Sequence, residues 1–424
     1  MPSDQTNRRQ MLRNFSAVGI ASGVGSLSLW PKALGQAIEP STAIPQNMIG
    51  AYGPWAASIV GDEAADLSFR RPNFTDLNSW RSAARDRVLS CLAQPGPTAV
   101  PEVRVDASED FEDLEIQHLS WQLPFGPRTK AILLKPASAS GRLPAVLGLH
   151  DHGGMKYFGY PKITRTQTAQ HPMMVEHQRN HYGGLAWANE LARRGYVVLV
   201  HDTFTFGSRR VLPEDLPDVL TRNLSPMNGD STESVRAYNA FAANHEHLMA
   251  KSLFCAGTTW PGVFTWEDQR ALDYLCSRHD VDAERVGCAG LSGGGLRTVY
   301  LGGLDDRIRC ACCVGMMSTW RDYLLNKVHT HTWMIYIPLL PKQLDYPEIL
   351  SMRAPLPTMV LNNDDDPLFT LPEMQRADQI MSEIFTKAGA ADHYQCSFYP
   401  GPHKFDRKMQ SQAWGWFDRW LKSS

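Results

Sequence analysis

Net charge is nearly absent from this chain: 42 lysines and arginines against 44 aspartates and glutamates leave a formal charge of −2. So balanced a surface offers no electrostatic footprint for nucleic acid or for an anionic membrane. Internal repeats and low-complexity tracts are missing as well, which excludes repeat solenoids. Past the N-terminal stretch no apolar run approaches the length that spans a bilayer. Separated Cys-x-x-Cys pairs, the usual mark of a structural zinc site, are also lacking. The eight cysteines are scattered and do not form a disulfide scaffold. Cys310-Ala-Cys312-Cys313 falls in an apolar, strand-like run, where free thiols behave as small core residues. An oxidising location permits one disulfide, and the sequence selects no pair for it.

What remains is ordinary globular composition, 43% hydrophobic and 20% charged residues over 424 positions. The first 37 residues read as an export signal. Paired arginines in Asn7-Arg8-Arg9-Gln10-Met11-Leu12-Arg13 precede a Gly/Ala/Ser-rich apolar stretch from Ala17 to Trp30, and Gly35-Gln36-Ala37 offers small residues for a peptidase. That is the layout of a twin-arginine signal. It predicts a bacterial periplasmic or secreted protein, with no stable membrane insertion once the signal is removed. Residues 38–110 form an expected N-terminal extension, irregular to about residue 75 and then a helix from Asn78 to Leu92 stopped by Gln94-Pro95-Gly96.

From there strand-like and helical patterns alternate. Leu114–Gln122 and Arg128–Lys135 predict a hairpin across Gly126-Pro127. Buried strands follow at Ala145–Leu149, Tyr196–Val200, Arg285–Ala289, Arg309–Val314, Pro357–Leu361 and Gln395–Tyr399. Helices are expected at Leu185–Arg194, Glu267–Ser277, Pro372–Ala388 and Met409–Leu421. The pattern predicts an α/β domain over 111–424, with a mostly parallel central sheet covered by helices on both faces. Intervals 155–182, 203–260 and 315–354 are too long for simple connections. They are expected to line a binding site as a partial lid above the strand C-termini.

The most informative string is Gly290-Leu291-Ser292-Gly293-Gly294, set between an apolar strand and a helix-like stretch. A sharp strand–turn–helix lifts a serine hydroxyl out of the sheet beside a helix N-terminus. Serine is a poor nucleophile unless a base touches it and an acid orients that base. Downstream, in that order, come Asn362-Asn363-Asp364-Asp365-Asp366-Pro367 at one strand end and Gly401-Pro402-His403 at the last. Of fourteen histidines, His403 alone follows a turn at a strand end and precedes the final helix. It is the expected base. Asp366 is the expected acid, as the last carboxylate before Pro367 turns the chain away, with Asp364 as the alternative.

A tetrahedral oxyanion needs two aimed backbone donors. Gly293 N–H follows the nucleophile. The second is expected from His150-Asp151-His152-Gly153-Gly154, from His152 N–H or else from Gly153. No metal or other cofactor is required. His150 with His152, and His329 with His331, lack a third ligand at convincing spacing. His245-Glu246 lacks the second histidine of a zinc-protease helix, since position 249 is methionine. Trp260 and Trp266 stand either in the pocket wall or in the core.

Together these strings resemble the α/β-hydrolase superfamily, and within it the dienelactone-hydrolase and acetyl-xylan-esterase-like branch. The resemblance covers most of 75–424. It is carried by His150–Gly154, Trp260-Pro261-Gly262 with Asp268-x-Arg270-x-x-Asp273-Tyr274-Leu275, Val281-Asp282-x-x-Arg285-Val286-Gly287, Gly290–Gly294, Asp366-Pro367-Leu368-Phe369 and Gly401-Pro402-His403. His150-Asp151-His152 departs from the His-Gly that relatives often carry. Ser292 stands where some dienelactone hydrolases use cysteine. The resemblance implies a serine esterase acting through an acyl-enzyme on short-chain, acetyl-type esters of small molecules or carbohydrates. Two other readings share parts of the pattern: a serine peptidase of the prolyl-oligopeptidase type, and a non-catalytic binding protein on the same fold. Oligomeric state is not legible.

Overall fold

The computed structural model describes residues 46–225, 227 and 229–422. The expected export signal and the start of the extension lie outside the described residues. Nine strands form one sheet: β1 Arg104–Phe111, β2 Leu114–Trp121, β3 Thr129–Pro136, β4 Leu143–Gly148, β5 Val197–His201, β6 Val281–Leu291, β7 Ile308–Val314, β8 Thr358–Asn363 and β9 Tyr394–Tyr399. Their spatial order is β1-β2-β3-β5-β4-β6-β7-β8-β9. The first three strands pair antiparallel with one another, and β3 pairs antiparallel with β5. From β5 to β9 every pairing is parallel.

Strand alternation divides the core between two faces. Leu147, Leu199, Ala311 and Cys313 point to one side and pack against α1 (Leu77–Leu92), α4 (Trp260–Ser277), α5 (Gly293–Leu304) and α6 (Leu371–Lys387). Val146, Val198, Cys310 and Cys312 point to the other. There they meet α2 (Trp187–Arg193) and α7 (Arg407–Phe417) through Trp187, Leu191, Met409, Trp414 and Phe417. All eight cysteines are free, four of them fully buried in β6 and β7.

The sheet starts at Arg104, ahead of the expected boundary at 111, and the described residues form one unit. β1 escaped the sequence pattern because it is an edge strand. Its sequence RVDASEDF is exposed almost throughout, so no apolar alternation marks it. The expected irregular arm before residue 75 contains a short helix, Gly53–Val60. The interval 203–260 holds the long helix α3 (Thr232–Cys255), capped by Ser231, which accepts the Ser234 N–H. Its buried positions Val235, Tyr238, Phe241, Ala242, Glu246 and Ala250 follow helical spacing, but histidines and asparagines interrupt the pattern. Among the described residues no helix is long and apolar enough to cross a membrane.

Candidate active site

β6 runs straight into Ser292, whose backbone sits at φ 58°, ψ −118°. This conformation is costly for a residue with a side chain and is held only where its surroundings over-determine it. The surroundings here are glycines. A Cβ on Gly294 would lie 2.0 Å from the Leu149 carbonyl oxygen, and one on Gly290 would lie 2.4 Å from the same atom. The turn is thus pressed against the end of β4 so tightly that no side chain fits. Gly294→Ala is expected to destabilise the fold by about 3 kcal/mol or more through this overpacking. Urea unfolding measures it, and wild-type stability would contradict the turn's geometry.

Asp366 and His403 meet across the ends of β8 and β9. His403 Nδ1 lies 2.6 Å from Asp366 Oδ2, and the Asp366 side chain is wholly buried. The other Asp366 oxygen accepts the Leu368 N–H at 3.0 Å, which holds the carboxylate in plane for the imidazole. Asp364 is exposed and turned elsewhere, accepting the Gly401 N–H at 3.1 Å. The far nitrogen of His403, Nε2, is buried and has no hydrogen-bond partner. His403 and Ser292 both line one cavity of about 400 Å³. Among the described residues no hydrogen bond yet joins the serine hydroxyl to that nitrogen, as is common before substrate tightens such a pair. Gly315 at the end of β7 makes room for the ring: a Cβ there would lie 2.9 Å from His403 Cε1.

The loop after β4 faces the same turn. A Cβ on Gly293 would sit 2.8 Å from the backbone nitrogen of His152, so the His152 peptide lies directly against the residue that follows the serine. Gly153, at φ 53°, has no room for a side chain between Asp151 and His177. Ser292 also stands at the N-terminus of the twelve-residue helix α5, whose dipole favours negative charge there.

The His152 side chain is fixed at both nitrogens. Nδ1 accepts the Gly154 N–H at 3.0 Å, so Nε2 carries the proton and donates it to Glu246 Oε1 at 3.0 Å. Burial pulls the His152 pKa down more than Glu246 raises it. The contact is therefore a neutral-imidazole hydrogen bond, and the ionic partner of Glu246 is the buried Lys156 ammonium. Lys156 lies 4.8 Å from the Trp260 ring centroid. Burial opposes ionisation of Glu246, but the His152 hydrogen bond and the Lys156 charge outweigh it and hold its pKa down at about 2.

A carboxylate depressed in the folded state stabilises it above the ordinary value of 4.5 and loses that contribution as pH falls toward 2. Urea midpoints should drop over that window in the wild type, and Glu246→Gln should lose this share of the drop. Glu246→Ala, which strands Lys156, should cost roughly 3–5 kcal/mol at pH 7.

Behind the turn, Arg297 of α5 donates to Asp268 at 2.6 Å, and its guanidinium reaches the His150 carbonyl at 3.5 Å. His201 completes this buried cluster, 3.0 Å from Asp268. Burial and the Arg297 charge hold His150 far below its ordinary pKa.

The cavity wall comes largely from two of the three long intervals: Ala243 and Glu246 from 203–260, and Met316, His329–Thr332, Met334 and Ile335 from 315–354. His329 is exposed at the rim. His331 is half-buried, donates to the Leu368 carbonyl at 2.9 Å and is pushed by burial down to about 4, so it stays neutral. Neither tryptophan lines this cavity. Trp266 is core, with its Nε1–H on the Gly96 carbonyl at 3.0 Å and its ring against Phe125. Trp260 lies one layer back, packed on Phe204. Among the described residues no three His, Cys, Asp or Glu side chains are grouped to hold a metal.

A mostly parallel sheet in this strand order, with a strained serine at the end of a central strand, defines the α/β-hydrolase fold. The solved structures agree. One is a "putative acetyl xylan esterase" from Bacteroides fragilis NCTC 9343, with TM-score 0.59 and 16% identity, covering 83% of each chain. Another is a glucuronoyl esterase from Solibacter usitatus, with TM-score 0.57 and 15% identity, covering 84% of this chain and 97% of that one. Among curated proteins the chain is similar to "Putative hydrolase YtaP" of Bacillus subtilis (strain 168). The two are 25% identical over 338 residues, 79% of this chain and 97% of that protein. No family model matches.

Sequence reasoning missed Glu246, Lys156, Lys162 and Arg297. The first three sit in long intervals where no strand end or glycine turn marks a site. Arg297 reads in the sequence as an ordinary helix position, because its buried partners Asp268 and His201 are distant in the chain.

Proposed function

We propose that this protein is an exported serine esterase that cleaves short-chain, acetyl-type esters of carbohydrates through an acyl-enzyme. Ser292 attacks the carbonyl and His403 Nε2 takes its proton. Asp366 holds the tautomer of His403 and stabilises the imidazolium. The N–H groups of Gly293 and His152, or Gly153 in place of His152, receive the oxyanion. The single observation that carries this reading is the unpartnered Nε2 of His403. Its residue lines the same cavity as Ser292, and Asp366 is seated on the opposite nitrogen. A buried imidazole nitrogen without a partner is costly and fits a group waiting for a proton.

The substrate class draws support from the fold relatives named for xylan acetyl and glucuronoyl esters. A cavity of about 400 Å³, walled by Leu296, Met316, Met334, Ile335 and Leu368, is more than an acetyl group needs and leaves space for the alcohol part. Export rests on Arg8-Arg9 and the apolar stretch after it. Purified protein assayed on acetylated sugars, nitrophenyl esters and uronate methyl esters tests the substrate class. The highest kcat/KM should fall on an acetylated sugar, and preference for a uronate methyl ester or for an amide would replace this reading. Arg8→Lys with Arg9→Lys should retain the protein in the cytoplasm.

A further inference from the structure

Lys162 is fully buried, sits in a turn of the first long interval and touches no substrate cavity. Its ammonium donates to two backbone carbonyls, Asp151 at 2.7 Å and His152 at 2.8 Å. Each belongs to a trans peptide whose N–H points the opposite way. The partner of the Asp151 carbonyl is the His152 N–H, and the partner of the His152 carbonyl is the Gly153 N–H. Lys162 therefore grips, from behind, the two peptide units that carry the candidate oxyanion donors. Among the described residues neither N–H has a backbone acceptor. The His152 nitrogen lies against Gly293.

We infer that Lys162 is a positioning residue for the oxyanion site, turning the His152 and Gly153 N–H groups toward the serine and polarising them through their carbonyls. This inference rests on the serine-esterase reading. A cation on a carbonyl strengthens the donor at the other end of the same peptide, and the effect is largest where water is excluded. The ammonium faces Asp151 and Asp202, which favour its charge, and Lys156 and Arg297, which oppose it. His150, whose Nδ1 lies 3.1 Å from the same Asp151 carbonyl, and the Phe206 ring, at 4.7 Å from the ammonium, lie beside it. Burial dominates and brings its pKa down to about 8. The charge is therefore present at pH 7 and lost as pH rises past 8.

The test uses the whole protein, nitrophenyl acetate as substrate and methylboronic acid as a probe. The probe adds to the serine hydroxyl and mimics the tetrahedral anion. Lys162→Met should lower kcat at pH 7 at least tenfold, since removing one oxyanion donor costs about 10²–10³. KM should stay within threefold, and boronate inhibition should weaken by a factor similar to kcat. Wild-type kcat, corrected for Ser292→Ala, should fall with a midpoint near pH 8, and the fall should be absent in Lys162→Met. A folded Lys162→Met with kcat within twofold of wild type and unchanged boronate inhibition overturns the inference. Should circular dichroism show that variant unfolded, the wild-type profile decides: a fall near pH 8 supports the role, and a flat profile to pH 9.5 ends it. Full turnover by Ser292→Ala would instead sink the esterase reading itself.

Discussion

Ser292→Ala is expected to reduce kcat on nitrophenyl acetate by roughly 10⁴–10⁶-fold while leaving the melting temperature close to wild type. The loss is large because the hydroxyl forms the bond that breaks the ester. Without it, His403 and the oxyanion donors have nothing to activate, and the triad members act as a unit rather than additively. The fold should survive because Ser292 makes no side-chain hydrogen bond that caps α5. The tight turn depends on Gly290 and Gly294 instead. Alanine at φ 58° bears the same backbone strain that serine bears there, so little stability changes hands. Active-site titration with a fluorophosphonate provides the second reading: the wild type should label at one serine and the variant not at all. A variant that still turns over at the wild-type rate would mean the chemistry lies elsewhere.

Asp366→Asn is expected to cost about 10⁴-fold in kcat with KM nearly unchanged. The carboxylate accepts from His403 Nδ1 at 2.6 Å and from the Leu368 N–H at 3.0 Å, each on its own oxygen. An amide has only one acceptor oxygen. With that oxygen retained by Leu368, its NH₂ faces His403 Nδ1 and selects the tautomer protonated on Nε2, the nitrogen that must accept the serine proton. Size and burial are preserved, so circular dichroism should be unchanged. The companion Asp364→Asn should keep at least half of the activity, because Asp364 is exposed and bonds only the Gly401 backbone. The reverse ranking of the two variants would assign the acid to position 364.

The serine turn, the acid segment and the final histidine were all readable because each sits at the C-terminus of a predicted strand and is bracketed by glycine or proline. Backbone shape at those points demands particular residue types, and that demand is local. Eight of the nine strands announced themselves as apolar runs or, in β2 and β3, as a hairpin around Gly126-Pro127. β4 and β6 proved longer at their N-terminal ends than their apolar cores suggested. β1, exposed and charged, left no such trace. The choice among Asp364, Asp365 and Asp366 rested on Pro367 alone in the sequence; in the fold, only Asp366 is buried against His403.

The cavity wall belongs to the other category. Glu246, Lys156 and Lys162 are distant in sequence and carry no motif, and their partners are ion pairs and backbone carbonyls that any lysine or glutamate could have found. Trp260 and Trp266 stood open between pocket and core, and packing against Phe204 and Phe125 put both away from the serine. By itself, then, the chain determined its layered α/β architecture and the turns at the ends of its strands, since periodicity and glycine geometry act over a few residues. Which charged groups are buried together, and which walls close the cavity, only the tertiary structure decided. Such contacts depend on how three long intervals fold back over the sheet, and no local pattern encodes that.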